Sequence, residues 1–476
     1  MQFRSLIVGI LVLLLGCENP KKNPNENASV FGVSKINAWI TTADRTKLLA
    51  HSNLDFNKEV SGSSVIKLDT SSQHQTMDGF GFCLTGGSAQ LINQKLSAND
   101  RSSLLRELFL AEGNGIGISY LRVSMGASDL DDHVFSYDDL SAGQTDLSLS
   151  KFSLDPDRTS LIPVLKEIVK INPLIKIMAS PWSAPAWMKT NGAVKGGQLK
   201  KEYYQVYAQY FVKYISEMAK EGIAIDAITI QNEPEHPGNT PSMTMTSSDQ
   251  KEFVKEHLGP AFRKAAIKTK IIIYDHNCDH PDYPISILND AQAKEFIDGS
   301  AFHLYLGDIS ALSKVHESHP DKNIYFTEQW TSGTTDFGGD FRWHVKNLIV
   351  GAPRNWSRNV LEWNLAADEN FNPHTNDGGC SICRGALTID SKTGSVSRNV
   401  SYYIIAHTSK FVPPGSVRIA TNITDDLYNV AYLTPQGKKV LIVVNDNASD
   451  KTFEIAYKDM TIKTELQPGA VGTYVW

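Results

Sequence analysis

Eight short apolar runs, each followed by a longer amphipathic stretch, recur across residues 75–394 of this 476-residue chain. The alternation is that of strand-then-helix units, repeated at a spacing of roughly forty residues. The runs are Met77–Leu84, Tyr120–Met125, Ile175–Ala179, Ile225–Ile230, Ile271–Tyr274, Ser300–Leu306, Ile324–Thr327 and Val360–Asn364. Eight such units predict an α/β fold, a TIM (β/α)8 barrel, in which functional groups lie at the carboxyl ends of the strands.

The stretches between the runs are predicted helices. Two of them begin with capping-box patterns, at Ser97–Asp100 and Ser247–Gln250. The helices are Arg101–Ala111, Leu161–Ile171, Glu202–Glu221, Gln250–Ala266 and Ile285–Phe296. A doubly wound open sheet is the alternative architecture, but it would normally carry a glycine-rich phosphate loop after its first strand, and no convincing loop of that kind is present.

Residues 395–476 have a different pattern of short β-branched or aromatic runs separated by turn signals. These runs predict an antiparallel β-sandwich, and they are Val417–Thr421, Tyr428–Thr434, Lys439–Asn445, Thr452–Tyr457 and Ala470–Trp476. Residues 31–74 contain two further strand-like runs, Lys35–Thr41 and Val65–Leu68. We expect them to complete the same sandwich, so that both ends of the chain form one domain.

The first 17 residues predict an envelope location. Arg4 places a positive charge near the N-terminus. Leu6–Leu15 is an apolar stretch that is too short to span a bilayer and has the length typical of a signal peptide. The stretch ends in Leu14-Leu15-Gly16-Cys17, which looks like a bacterial lipobox. Residues 1–17 are therefore predicted to be a lipoprotein signal, with lipid attached to Cys17 and residues 18–30 as a flexible tether to the outer membrane, facing the periplasm or the surface. Ordinary secretion with a free Cys17 is the alternative.

Charge and cysteine content narrow the possible partners and cofactors. The net charge of −6 gives no reason to expect a nucleic-acid partner, and we expect a monomer without a cofactor. Cys380 and Cys383 could bind zinc, be redox-active or form a local disulfide. Because no second cysteine or histidine pair completes a zinc site and the compartment is oxidising, the spacing favours a small structural disulfide.

Two glutamates each end a predicted barrel strand. Ile228–Pro234 places Glu233 just before a proline that stops the strand, and Ile324–Trp330 places Glu328 at the end of the seventh strand. A glycosidase that retains anomeric configuration needs two carboxyl groups about 5–5.5 Å apart. The fourth and seventh strands lie across a barrel from each other, so these two side chains are candidates for that pair.

The motifs along the barrel resemble glycoside hydrolase family 30, which contains glucosylceramidases and endo-β-1,6-glucanases. The resemblance runs in order through Asp78–Gly81, Tyr120–Ser124 with Asp129, Ser180–Gly192, Gln231–Pro234, His303–Tyr305, Phe326–Glu328 and Glu362–Asn364. It implies a TIM barrel fused to a β-sandwich and hydrolysis with retention.

The resemblance also implies roles for individual residues. Glu233 matches the acid/base and Glu328 the nucleophile, so that Glu233 should be protonated and Glu328 ionised. Arg122 fits a cation that keeps Glu328 charged, and Asn232 fits a partner of the sugar 2-hydroxyl. The side chains expected to line the subsite for the cleaved glucose are Asp129, Trp182, Tyr305 and Trp363, with His303 nearby.

Several features favour β-1,6-glucan among the substrates of that family. Leu84–Gly87, Gln329-Trp330 after the nucleophile, and Ala38–Asp44 resemble the β-1,6-glucanase branch more than the glucosylceramidase branch. Tyr274–Asp282 has a metal-like density of Asp, His and Cys, but we expect no metal there and assign it to hydroxyl binding. Glucosylceramidase, another β-glucosidase or a xylanase is the alternative activity. A surface lipoprotein that binds glycans without catalysis is the alternative class, and such a protein has no reason to keep the glutamate pair.

Overall fold

A closed barrel of eight parallel strands forms the centre of the protein. The computed structural model describes residues 35–56, 64–458 and 460–476, so the predicted signal, Cys17 and the tether lie outside it. In barrel order the strands are Gly79–Cys83, Tyr120–Ser124, Lys176–Ser180, Ala227–Thr229, Lys270–Cys278, Ile297–Gly307, Asn323–Glu328 and Ser357–Asn364. Each strand pairs in parallel with its neighbours, and the eighth closes onto the first. The TIM barrel is therefore confirmed.

Helices surround the barrel. Their bounds are Gly86–Lys95, Ala98–Phe109, Leu161–Ile171, Tyr204–Lys220, Ser247–Glu252, Gly259–Lys264, Asp282–Leu288, Ala291–Lys294, Ala311–Ser318, Phe337–His344, Ala352–Arg354 and Val400–Ser409, with π-helical segments at Phe253–Leu258 and Val345–Gly351. The second predicted capping box is shifted by one residue, because Thr246 caps the helix and its partner is Asp249. Within the described residues, no helix is both long and apolar enough to cross a bilayer.

The barrel interior below the active site is filled by side chains rather than open. Its members, one from each of seven strands, are Tyr120, Met178, Ala227, Ile272, Ala301, Tyr325 and Leu361. Glycine is required where the first two strands approach closely: a Cβ on Gly81 would lie 1.9 Å from the carbonyl oxygen of Tyr120. The packed interior fixes the strands and hence the side chains at their carboxyl ends.

Strands from both ends of the described chain form a second, nine-stranded sheet. In sheet order they are Ala50–Asp55, Lys35–Thr41, Val471–Val475, Lys439–Asn445, Leu427–Leu433, Val417–Thr421, Val65–Thr76, Lys451–Tyr457 and Met460–Leu466. The sheet is not wholly antiparallel, which corrects the prediction: residues 65–67 pair in parallel with residues 454–456. The long strand Val65–Thr76 makes this possible because its second half pairs with Val417–Thr421 instead.

Successive side chains along the sheet strands point to opposite faces, and both faces of the sheet are apolar. Leu441 and Val443 belong to the core enclosed by the sheet itself, whereas Val440, Ile442 and Val444 belong to the main core shared with the barrel. Each such side chain contributes roughly 1.5–3 kcal/mol when fully buried. The helix Val400–Ser409 lies inside residues 395–476, a segment assigned from sequence to strands alone, and it carries no simple amphipathic period because nine of its ten residues are buried.

Candidate active site

A cleft of about 400 Å³ opens at the carboxyl ends of the barrel strands. Six of the residues expected from sequence line it or contribute to its walls: Asp129, Trp182, Glu233, Tyr305, Glu328 and Trp363. Arg122, Asn232 and His303 lie beneath them and are almost fully buried. The structure also adds residues that sequence reasoning did not select, among them His236, Asn239 and Leu306, while Asn277 comes from the segment Tyr274–Asp282 that was assigned to hydroxyl binding.

Glu233 follows the fourth strand and occupies a left-handed backbone conformation, with φ of 47°. That conformation is uncommon for a residue with a side chain and is found at functional sites. Its backbone N–H donates to the carbonyl oxygen of Asp275 at 3.0 Å, which holds the turn in place. On its side chain, Oε2 accepts a hydrogen bond from Nδ2 of Asn239 at 3.0 Å, and Oε1 lies 3.4 Å from Nδ1 of His303.

Glu328 ends the seventh strand and points toward Glu233. Nη1 of Arg122 donates to its Oε2 at 2.6 Å, and the hydroxyl of Tyr305 donates to its Oε1 at 2.9 Å. One carboxylate oxygen of Glu328, one of Glu233 and a ring nitrogen of His303 all lie within 4.8 Å of one another. An approach this close fits the pair of carboxyl groups of a retaining glycosidase, whereas an inverting enzyme holds them about 6.5–9.5 Å apart to admit a water molecule.

Arg122 connects the parts of the site from below. Its side chain is fully buried, and besides Glu328 it donates to Oδ1 of Asn232 at 2.6 Å and to Oδ2 of Asp275 at 2.8 Å. The guanidinium group also lies over the ring of Trp182, 4.8 Å from its centroid. Because Asn232 uses its oxygen for Arg122, its amide nitrogen remains available to donate to a sugar hydroxyl.

Asp275 is an essential member of this network that the sequence did not reveal as such. The fifth strand runs to Cys278, so Asp275 belongs to a strand and not to the hydroxyl-binding loop predicted for Tyr274–Asp282. A register shift with positive φ at Tyr274 and Asp275 turns the carboxylate into the barrel. There it accepts hydrogen bonds from Thr229 and Thr327, each at 2.6 Å. Although burial acts to raise the pKa of Asp275, the charge of Arg122 holds it well below the ordinary range.

The pKa shifts of the two glutamates in the resting site run opposite to the directions that their predicted roles call for. Burial raises the pKa of Glu328, although the charges of His303 and Arg122 oppose that effect. The pKa of Glu233 is lowered despite its burial, because His303 lies beside it as a hydrogen-bond donor and a positive charge. Burial acts to lower the pKa of His303, but Glu328 and the other carboxylates raise it to about 9. The sequence showed His303 near the site but not between the two carboxyl groups.

The wall of the cleft combines two tryptophans and a buried acid. The rings of Trp182 and Trp363 stack with centroids 5.4 Å apart, and within the described residues the indole N–H of Trp182 has no protein acceptor. A sugar hydroxyl could accept that hydrogen bond. Burial, together with the charges of Glu328 and Glu233, raises the pKa of Asp129 to about 8. A protonated Asp129 can both donate to and accept from a sugar hydroxyl.

Cys380 and Cys383 form a disulfide, which confirms the structural interpretation of their spacing. Its position is unexpected, because both cysteines line the cleft and pack against Trp182 and Trp363. Cys83 and Cys278 are buried free thiols.

Among the described residues, the side chains of Glu233, His303 and Glu328 form the one grouping close enough to hold a metal ion. Each of their facing atoms already has a protein neighbour at hydrogen-bonding distance. The buried cation Arg122, 2.6 Å from Glu328, opposes a second positive charge. The grouping therefore fits a pair of reacting carboxyl groups better than a metal site.

A TIM barrel that presents two facing carboxyl groups at this separation, above a buried arginine and between aromatic walls, defines a glycoside hydrolase. Residues 77–412 match the TIM-barrel domain of glycosyl hydrolase family 30, and residues 415–474 match the β sandwich domain of the same family. The chain belongs to glycosyl hydrolase family 30.

Known proteins of two activities resemble the chain over most of its length. It is 36% identical over 427 residues to an endo-1,6-β-D-glucanase of Neurospora crassa, covering 84% of this chain and 87% of that protein. It is 29% identical over 445 residues to the lysosomal acid glucosylceramidase of Mus musculus, covering 87% and 83% respectively. The solved structure of the endo-β1,6-glucanase BT3312 superimposes with a TM-score of 0.87 at 33% identity, over 93% of this chain and 99% of that one.

Proposed function

We propose that this glycosidase is an endo-β-1,6-glucanase that works by double displacement, with Glu328 as nucleophile and Glu233 as acid/base. The observation that carries the mechanism is the approach of the two carboxyl groups, one oxygen of each within 4.8 Å of the other. Glu328 attacks the anomeric carbon while Glu233 protonates the departing glycosidic oxygen, so a covalent glycosyl-enzyme forms and the shortened chain leaves. Water then attacks the same carbon, Glu233 takes its proton, and Glu328 is released.

The proton for the first step is shared between Glu233 and His303, whose facing atoms are 3.4 Å apart. His303 can give up a proton from Nδ1 because Nε2 keeps its own, held by Oδ1 of Asp275 at 3.1 Å. Transfer to Oε1 of Glu233 yields the neutral acid that the leaving oxygen requires. Arg122 and Tyr305 meanwhile donate to Glu328 and favour its ionised, nucleophilic form.

The substrate proposal rests on the lining of the cleft and on the relatives. The lining is polar and aromatic apart from Leu306 and the Cys380–Cys383 disulfide, and Trp330 adds an aromatic face directly after the nucleophile strand. A 1,6 linkage adds a rotatable bond between rings, so ordering such a chain costs conformational entropy that stacking on aromatic walls can offset. Relatives named as endo-1,6-β-glucanases, at 34–36% identity, support the same substrate.

Linear β-1,6-glucan should be cut to short oligosaccharides, whereas glucosylceramide, β-1,3-glucan and xylan should be cleaved far more slowly. Product analysis by chromatography distinguishes these cases, and proton NMR of the first products should show the β-anomer. Glu328→Gln is the matched control, because it keeps the side-chain shape but removes the nucleophile. Rapid cleavage of glucosylceramide with none of the polymer would contradict the substrate proposal but not the two glutamates.

We also propose that the enzyme is a monomer tethered to the bacterial outer membrane through lipid on Cys17. The lipobox-like Leu14–Cys17 supports this anchor. Two or more acyl chains are enough for stable anchoring. Mass spectrometry of the native protein should find a lipid-modified Cys17 as its first residue, and light scattering of a form lacking residues 1–17 should give the monomer mass. An unmodified first residue elsewhere would overturn the anchor.

A further inference from the structure

The Cys380–Cys383 disulfide lies in the wall of the cleft, so its reduction would alter the surface that contacts the substrate. Both cysteines line the cleft that holds the two glutamates. The disulfide also belongs to the apolar cluster formed by Leu130, Trp182 and Trp363, with Trp330 packed against it. A disulfide needed only for the stability of a surface loop has no reason to form part of this wall.

The disulfide closes a four-residue ring at the end of a segment without regular structure. Residues 368–382, which follow the eighth strand, contain neither helix nor strand, and Gly378 and Gly379 precede the first cysteine. The bond therefore ties Cys380, at the end of this irregular segment, to Cys383 in the short strand Cys383–Arg384. The first residue whose position depends on it is Cys380 itself.

Through that backbone the disulfide reaches Asp129. The N–H of Cys380 donates to Oδ2 of Asp129 at 3.3 Å, and the N–H of Thr375 donates to the carbonyl oxygen of Asp129 at 2.9 Å. Asp129 is buried in the cleft wall, where burial and two neighbouring carboxyl groups raise its pKa to about 8. The hydrogen bond from Cys380 opposes this effect, so it influences both where the carboxyl group lies and whether it holds a proton.

On its other side the disulfide is joined to the segment that follows the nucleophile. Ser332 pairs with Cys383 in a short antiparallel ladder, and the N–H of Gly333 donates to the carbonyl oxygen of Ile382 at 2.7 Å. Arg384 adds a hydrogen bond from Nη2 to the carbonyl oxygen of Gly333 at 2.6 Å. The four-residue ring Cys380–Cys383 thus joins the loops that follow the second and seventh strands.

We propose that the Cys380–Cys383 disulfide is a positioning element for catalysis, which holds the carboxyl group of Asp129 against the sugar whose bond is cleaved. This inference rests on the proposed function, because it assigns Asp129 to that sugar. Reduction by a thiol reagent supplies two electrons and two protons, breaks the bond between the sulfurs and leaves two thiols. The ring then opens, and the N–H of Cys380 is no longer held toward Asp129.

The first test compares the oxidised enzyme, the reduced enzyme and the double variant Cys380→Ser/Cys383→Ser. Both altered forms should lose about 10- to 100-fold in kcat/KM, the range expected when a sugar-binding group is misplaced by about an ångström. Circular dichroism should show the barrel intact at the assay temperature. The double variant should not respond to the reagent, because its remaining described cysteines, Cys83 and Cys278, are already thiols. An equal response there would show that the reagent acts elsewhere and would overturn the proposal. Unchanged kinetics in the reduced enzyme would overturn the proposal. If the double variant does not fold, the comparison of the oxidised and reduced wild-type enzymes is sufficient to test the proposal.

The second test separates positioning from general support by a double-mutant cycle with Asp129→Asn. If the disulfide acts through Asp129, removing it from the Asp129→Asn enzyme should cost less than about threefold, because the group it positions is already lost. The full loss repeated in that background would overturn the proposal. The ratios are measured on β-1,6-glucan and on an activated aryl β-glucoside. If the oxidised enzyme cleaves only the aryl glucoside, the proposed substrate is wrong. The kcat/KM ratios on the aryl glucoside then still test whether the disulfide positions Asp129.

Discussion

At the scale of single residues, one chain of buried charges organises the site. Asp275 holds both Arg122 and His303, Arg122 reaches Glu328, and His303 lies between the two glutamates. Every member is buried and has several partners, so each group stabilises the charge of the next. The protonation of His303 therefore sets the charge seen by both reacting carboxyl groups.

Replacing His303 with glutamine should narrow the pH profile of catalysis from both sides. The pKa of His303 is raised to about 9, so the wild-type imidazole is positive at neutral pH and lowers the pKa of each adjacent glutamate. Removing that charge should raise the pKa of Glu328, so the acid limb of the plot of kcat/KM against pH should shift upward by roughly 1–3 units. The alkaline limb should fall, because Glu233 no longer shares the proton that His303 holds up to about pH 9. His51→Gln, which alters an exposed histidine of the sheet, is the control. An acid limb that stays in place or moves to lower pH would contradict the assignment.

The sequence reveals some residues of this site better than others for a physical reason. Glu233 and Glu328 could be predicted because each is an acid at the end of an apolar strand. Asp275 could not, because it depends on a bulge with positive φ at two residues, and nothing in the local pattern requires that bulge. The position of the disulfide in the cleft wall could not be predicted either, because it depends on the path of an irregular loop through the folded protein.

At the scale of elements, the eight predicted runs each correspond to one barrel strand, because parallel strands buried on both faces must be almost wholly apolar. The boundaries were less predictable. The fifth strand extends to Cys278 through polar residues that turn into the barrel rather than ending at Tyr274. The single predicted helix Gln250–Ala266 is broken by a π-helical segment at Phe253–Leu258, and a hydrophobic period of 3.6 residues does not encode such a segment.

Placing alanine at Gly81 should destabilise the barrel at the seam between its first two strands. The new Cβ would lie 1.9 Å from the carbonyl oxygen of Tyr120 and 2.9 Å from Ile118, so the strands must separate. We expect the free energy of unfolding to fall by about 1–3 kcal/mol or more, measured by denaturant titration. Gly222→Asn is the control, because no atom lies within 4 Å of that position and asparagine tolerates its positive φ. Equal effects of the two changes would contradict the steric explanation.

At the scale of the whole molecule, a buried histidine joins the last helix to the sheet. Nδ1 of His407 lies 2.8 Å from Oγ1 of Thr473, and Nε2 lies 2.9 Å from Oγ1 of Thr41. Its two neighbours therefore come from opposite ends of the described chain. No pattern in the sequence indicated this contact, because it depends on how the barrel and the sheet are joined.

His407 should make the stability of the protein fall in acid. Burial lowers its pKa from 6.5 to about 3, so the folded protein holds it neutral while the unfolded chain can protonate it. Its contribution is complete above pH 6.5 and is lost as the pH falls from there toward 3, at up to about 1.4 kcal/mol for each pH unit. Thermal unfolding of His407→Gln should depend less on pH across that window than unfolding of the wild type. Parallel curves for the two proteins would refute the linkage.

The pairing of Lys35–Thr41 with Val471–Val475 has a consequence for how the protein is made. The earlier strand leaves the ribosome long before its partner, and the entire barrel is synthesised between them. At about 5–20 residues per second, that delay lasts tens of seconds. During this interval the early strand has one uncovered edge able to pair with other chains. A chaperone would have to cover that edge until the last strand is made, so the yield of correctly assembled enzyme depends on protection during synthesis as well as on the stability of the finished fold.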